Sequence, residues 1–166
     1  MKELIAYNTT VLRKIDGILH QLTNEELSRP FALLFGSSIG QHMRHILEFY
    51  ECLLVNMEDP IFSYDRRQRN PLIGSEVVAA RACAVRSISL LKEITGDRTL
   101  RMESELPAPS PWSVQETTLK RELAYLADHG VHHLAMIRIA LGQHLPHVAV
   151  PEDLGVAAST RNHQAR

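Results

Sequence analysis

The sequence predicts an all-α protein, built as a four-helix bundle with long connections. Two observations lead to this fold class. Four segments repeat apolar residues at helical spacing, and residues that end helices stand between them. A length of 166 residues fits one domain, whose core can form without a disulfide or a metal. We assign residues 1–143 to the bundle and residues 144–166 to a C-terminal tail that packs on the surface or is partly disordered.

The ends of the helices follow from capping and helix-breaking residues. Pro30 breaks the apolar pattern after the first helix, and Gly96 ends the third. Ser38 can cap the second helix, and Ser113 or Thr117 can cap the fourth. The four predicted helices cover residues 2–22, residues 38–57, residues 76–95 and a last segment that ends near residue 142.

Two connections, residues 58–74 and 96–115, are long for a helical bundle, and long loops are often functional. In the second, LRMESEL alternates enough for a short strand or an extended arm, and PAPSPW indicates a loop. Because both can span the length of the bundle, simple up-and-down order is not required.

Composition and charge exclude several classes of function. A net charge of −1 provides no basic field for phosphates, so we expect no nucleic-acid partner. No stretch approaches the ~18 apolar residues of a membrane span, and the N-terminus lacks the apolar core of a signal peptide. Cys52 and Cys83 lie far apart and form no disulfide framework. We therefore expect a cytoplasmic protein that binds no membrane.

The unusual feature is nine histidines, five of which fall into two short clusters. The fourth helix carries DHGVHH, in which His129 and His133 are four residues apart and therefore share a face. Both imidazoles can reach one metal ion with bonds of ~2.0–2.1 Å. His132 is rotated by about 100° from His133 and cannot share that face.

The second helix carries QHMRH, with His42 and His45 one turn apart. Either could complete a three-histidine site that keeps open positions for water or substrate, as catalytic zinc sites do. Spacing alone leaves both alternatives open. Gly130 stands where an HExxH protease has its glutamate, so protease activity is not supported.

The two histidine segments resemble those of the DinB-like family of small bacterial four-helix-bundle proteins. SSIGQHMRHILEFYECLL is similar to the family's second-helix segment, where a serine stands seven residues before a metal-binding histidine. That register selects His45, seven residues after Ser38, and leaves His42 as an extra. RELAYLADHGVHHLAMIRIAL is similar to the fourth-helix segment, and its register selects His129 and His133.

The resemblance implies up-down-down-up topology, a homodimer and one divalent ion, zinc or nickel. Relatives use the ion with low-molecular-weight thiols to transfer or isomerise small molecules, and others are stress-associated proteins. A metal-dependent thiol S-transferase acting on a small electrophile is therefore one hypothesis. A metal-dependent hydrolase and a non-catalytic metal-binding stress protein are the alternatives. The resemblance identifies no catalytic residue and no organic cofactor site.

Several other residues have an ordinary interpretation beside a functional one. Tyr64, Asp65, Arg66 and Arg67 could gate the site or bind an anionic substrate, but a DRR run usually lies in a solvated loop. Glu48 and Asp128 could orient an imidazole, although we expect plain surface charge for each. For three further residues the structural role is favoured: Tyr125 as a half-buried tyrosine, Cys52 as a core cysteine and Trp112 as a loop anchor.

Overall fold

A computed structural model describes residues 1–107 and 112–164. Within these residues the chain is mostly helical, with six α-helices and one two-stranded antiparallel sheet. None of the helices described is long and apolar enough to cross a membrane. The elements in chain order are α1 (Lys2–Leu19), α2 (Asn24–Ser28), α3 (Ile39–Val55), α4 (Val77–Glu93), β1 (Thr99–Glu105), β2 (Trp112–Thr118), α5 (Leu119–His144) and α6 (Ala158–Gln164).

Four long helices form the core of the molecule. Helices α1 and α3 each pack against both α4 and α5. The side chains between them are fully buried, and they include Leu12, Ile15, Leu47, Leu53, Leu123 and Ile137. Burial of this many aliphatic groups supplies the main driving force for folding. It also holds α3 beside α5, the two helices that carry the histidine clusters.

Capping residues set the starts of the early helices. Ser38 caps α3 as expected, because its hydroxyl accepts from the backbone of Gln41, whose side chain accepts from the backbone of Ser38. The first helix is shorter than predicted and ends at Leu19. Thr23 forms a second capping box with Glu26, and this begins the separate short helix α2.

The predicted cap of the fourth helix was wrong. Ser113 and Thr117 lie in β2, which pairs with β1 in the register Ser104↔Ser113 and Leu100↔Thr117. Thr118 caps α5 instead, since its hydroxyl accepts from the backbone of Arg121. Of the two alternatives predicted for LRMESEL, a short strand or an extended arm, the structure contains the strand, as β1. The central residues of the predicted PAPSPW loop, 108–111, lie outside the described residues.

The α3–α4 linker, residues 56–76, is fastened at both ends. Phe62 exchanges backbone hydrogen bonds with β1, donating to Arg101 and accepting from Glu103. Near its other end, Gly74 packs so closely on Gly40 of α3 that a Cβ at position 40 would collide with the carbonyl oxygen of Gly74. The linker is therefore held against β1 and α3 at these two points.

The described part of the C-terminal tail packs on α1 and α5. Leu154 is fully buried, and the side chain of Gln21 accepts a hydrogen bond from the backbone of Ala149. Gly155 adopts a left-handed φ of 70° and lies directly against the backbone of Ala135 on α5. A side chain at position 155 would collide there, so the turn requires glycine.

Candidate metal centre

Three histidines from two helices converge where α3 faces α5. The ring nitrogens offered by His45, His129 and His133 all lie within 4.8 Å of one another. The Nε2 atoms of His45 and His129 are 2.9 Å apart. The three ring centroids are separated by 4.6 to 4.9 Å. All three side chains are half-buried, so the cluster is sheltered and still reachable from solvent.

This geometry suits one metal ion. Two nitrogens bound to the same ion at ~2.0–2.1 Å, at octahedral or tetrahedral angles, lie roughly 2.9–3.4 Å apart. The 2.9 Å between the Nε2 atoms of His45 and His129 falls at the short end of that range. Three imidazoles also form the ligand set that leaves a position for an exchangeable group.

The protonation of the cluster also fits metal binding. Burial lowers the pKa of His133 to about 3, and the neighbouring histidines add to the effect. Burial lowers the pKa of His45 to about 4, with a further contribution from His129. The pKa of His129 is lowered for the same primary reason. All three imidazoles are therefore neutral at pH 7, which is the form that donates a lone pair to a metal.

The structure brings together the three histidines that the family register selected. His42 is outside this group, although its Nδ1 lies 3.0 Å from Nδ1 of His133. His132 is exposed and its ring centroid lies 6.1 Å from that of His133, so it does not join the cluster. That His45, His129 and His133 bind a metal remains a prediction.

Glu48 and Arg67 form a buried ion pair beside His45. Arg67 Nε donates to Glu48 Oε2 at 3.2 Å, and its Nη2 lies 3.3 Å from Nδ1 of His45. A second hydrogen bond runs from the backbone of Asn70 to Glu48 Oε1 at 2.8 Å. The side chains of Glu48 and Arg67 are 1% and 10% exposed. The expectations of surface charge for Glu48 and a solvated loop for Arg67 were therefore wrong.

An aromatic wall covers the other side of the histidines. Phe49 stacks on Tyr64 with ring centroids 4.7 Å apart, and His129 stacks on both Phe49 and Tyr125. Tyr64 is buried, and its hydroxyl donates to Glu122 at 3.0 Å. Tyr125 is half-buried, as expected. These rings shield one side of the site from water.

Other residues considered for function have partners outside the histidine cluster or are exposed. Arg66 pairs with Glu103 at 3.1 Å and covers the ring of Trp112, which is consistent with a loop-anchoring role for that tryptophan. Asp65 accepts from the backbone of Glu105. Asp128 is exposed, as expected of surface charge.

Cys52 lines a cavity of about 640 Å³ between the α3–α4 linker and α3, and the lining also includes Glu48 and Arg67. Its side chain is buried, and burial raises its pKa to about 11. At neutral pH the thiol is therefore protonated and a poor nucleophile. This agrees with the expected role of Cys52 as a core residue.

The sequence interpretation missed the pairing of His42 with His133 and the burial of Glu48. A weak signal existed for Glu48, since a residue three positions after His45 on a helix lies close to the same face. Its cationic partner Arg67 lies nineteen residues further along the chain, where helical spacing gives no information.

Comparison with known proteins agrees with this architecture. A family model described as the DinB superfamily matches residues 8–137, which include His45, His129 and His133. No curated protein and no solved structure matches the chain. Since the matched region covers most of the chain, the protein belongs to the DinB superfamily.

Proposed function

We propose that this protein binds one divalent metal ion, zinc or nickel, through His45, His129 and His133 and acts as a thiol S-transferase. The ion would activate a low-molecular-weight thiol for transfer to a small electrophile. The observation that carries the proposal is the convergence of three neutral imidazoles with no charged group among the ligands. The wider proposal treats α1, α3, α4 and α5 as an up-down-down-up bundle, in a cytoplasmic homodimer.

The charge of the site favours an anionic partner. Neutral ligands leave the full positive charge of a divalent ion uncompensated. The guanidinium of Arg67, 3.3 Å from His45, is paired with Glu48 and does not cancel that charge. A thiolate satisfies this charge, and a divalent ion at this site would lower the pKa of a coordinated thiol enough to supply thiolate near neutral pH.

The chain's own residues would position the reactants. Phe49, Tyr64 and Tyr125 form an apolar wall beside His129, which limits water around the reacting sulfur. In the transfer step, the sulfur forms a bond to a carbon of the electrophile. The bond to the leaving group breaks, the leaving group departs with the electron pair, and the thiol proton passes to solvent.

The hydrogen bonding of the two buried carboxylates, Glu48 and Glu122, favours thiol transfer over hydrolysis. A hydrolase commonly uses a free carboxylate or histidine to take a proton from water. Glu48 is held by Arg67 and by the backbone of Asn70. Glu122 accepts from Tyr64 at 3.0 Å and from Thr117 at 2.7 Å. Neither carboxylate is free to act as a general base.

Metal analysis of protein purified without a histidine tag tests the site. We expect about one zinc or nickel ion per chain in the wild type, and loss of that ion in His129→Ala and His133→Ala. His132→Ala is the matched control, since this exposed histidine lies on the same helix outside the cluster. A wild type without stoichiometric metal would contradict the proposal.

Thiol consumption tests the reaction. Metal-loaded protein is incubated with bacillithiol, mycothiol or glutathione and a model electrophile, and free thiol is measured over time. We expect metal-dependent loss of one thiol, absent in His133→Ala. Full activity in that variant would refute the centre, and ester cleavage without thiol loss would favour a hydrolase. Metal binding with neither reaction would favour a non-catalytic stress protein.

A further inference from the structure

We infer that His42 is a positioning residue that holds the metal ligand His133 through a hydrogen bond between their Nδ1 atoms. This inference rests on the proposed function, because it concerns how one ligand of that centre is oriented. His42 lies on α3, one turn before His45, and its Nδ1 is 3.0 Å from Nδ1 of His133 on α5. Family membership assigns no role to His42.

The contact determines which nitrogen of His133 is available to an ion. An imidazole has two ring nitrogens, and in the neutral ring one carries the proton while the other has the lone pair. Since Nδ1 of His133 faces His42, Nε2 is the atom left for the metal. The proton of His133 then lies on Nδ1 and is donated to Nδ1 of His42, whose own proton lies on Nε2.

The position of His42 distinguishes this role from that of a fourth ligand. His42 does not belong to the group whose ligand atoms lie within 4.8 Å of one another. The nitrogen that it directs at α5 is already occupied by the contact with His133. A ligand histidine commonly donates its second N–H to an acceptor that fixes its tautomer and ring orientation, and His42 provides that acceptor.

His45 shows why this acceptor matters. Nδ1 of His45 faces Nη2 of Arg67 at 3.3 Å, and a guanidinium can donate but not accept. If Nε2 of His45 bound an ion, the proton of the neutral ring would lie on Nδ1 and would face the N–H group of Arg67. The guanidinium would then have to rotate so that this N–H group points toward the other partners of Arg67. His133 needs no such adjustment, so among these two ligands it is the one already arranged for metal.

Metal affinity of four purified proteins tests the inference: wild type, His42→Ala, His42→Asn and His132→Ala. Dissociation constants for Zn²⁺ come from competition with a chromophoric chelator, and the visible spectrum of the Co²⁺ form reports ligand number and geometry. His42→Ala removes the acceptor and should weaken Zn²⁺ binding about 10- to 100-fold. His42→Asn places an amide oxygen near the former Nδ1 and should recover most of that loss.

The control and the contrary outcomes separate this inference from the proposed function. His132→Ala should bind Zn²⁺ like the wild type, and thermal unfolding without metal should show that both His42 variants remain folded. Wild-type affinity in His42→Ala would overturn the inference and leave the proposed function intact. Equal losses in His42→Ala and His42→Asn would also overturn it, as would a Co²⁺ spectrum showing that His42→Ala loses a ligand. A wild type that binds no Zn²⁺ would overturn both.

Discussion

Arg67 of the α3–α4 linker donates a hydrogen bond to Glu48 of α3, although the carboxylate of Glu48 is almost completely buried. A buried charge is stable only when it is paired and hydrogen-bonded. The pair therefore fastens the linker to the helix that carries His45. It also puts a cation next to the histidines without placing a carboxylate among them.

Removing Arg67 should destabilise the protein. In Arg67→Ala the carboxylate of Glu48 stays buried and loses its main cation, while Arg44 remains 3.7 Å away. We expect the free energy of unfolding to fall by about 3 kcal/mol, measured by urea denaturation. Arg66→Ala is the matched control, because its pair with Glu103 is exposed and should contribute about 1 kcal/mol or less. Equal losses in the two variants would contradict the prediction.

Tyr64 should be the more sensitive of the two tyrosines in the aromatic wall. Tyr64→Phe removes a donor from the buried carboxylate of Glu122, which costs about 1–3 kcal/mol of stability. Tyr125→Phe should change stability by less than about 0.5 kcal/mol, because that side chain is half exposed. Thermal or urea unfolding measures both. A neutral Tyr64→Phe would show that the hydrogen bond to Glu122 has no net value.

Stability should decline at alkaline pH. Burial raises the pKa of Cys52 to about 11 and that of Cys83 to about 12, against an ordinary value of 9.0. Below pH 9 both thiols are protonated in the folded and unfolded states, and the stabilisation from burial is fully present. Above pH 9 the unfolded chain ionises first, so the free energy of unfolding falls as pH rises toward the folded pKa values.

For Cys52 alone, a rise of about two pKa units corresponds to about 2–3 kcal/mol lost between pH 9 and pH 11. Urea unfolding at pH 8, 9 and 10.5 measures this decline. Cys52→Ala should show a smaller decline than the wild type over the same interval, although it starts from a lower stability. Identical slopes would show that the thiol ionises equally easily in both states.

Two glycine-to-alanine substitutions should have opposite effects. Gly40→Ala puts a methyl group against the backbone of Gly74, and either α3 or the linker must move. We expect a loss of about 1–3 kcal/mol, the usual cost of overpacking. Gly17→Ala has open space around the added carbon in the last turn of α1 and should gain about 0.5 kcal/mol. Thermal unfolding of both variants checks the sign of each change.

The features predicted correctly depend on residues close together in the chain. The cap at Ser38 needs only Gln41, three residues later, and the shared face of His129 and His133 follows from one helical turn. The features that were missed depend on distant partners. Thr118 caps α5 because the residues before it form β2 and pair with β1, and the burial of Glu48 depends on where the linker places Arg67.

The choice between His42 and His45 as the third histidine of the cluster also depends on a distant partner. Both lie one turn apart on α3, and helical spacing permits either to face a partner. Which of them does so depends on the position of α5 along the axis of α3. That packing sets the Nε2 of His45 against His129 and the Nδ1 of His42 against His133. The residue pattern of one helix contains no information about the axial position of another helix packed against it.

The histidines from α3 and α5 are brought together from positions 84 residues apart in the chain. An unfolded chain does not present this cluster, so an ion bound there would act as a reversible cross-link closing a long loop. Covalent closure of a loop of this size raises the free energy of the unfolded chain by roughly 4–5 kcal/mol at 25 °C, because it lowers the conformational entropy of that chain. The stabilisation that a bound metal provides depends on the ratio of the free ion concentration to the dissociation constant. The free energy of unfolding would therefore increase with the concentration of free metal.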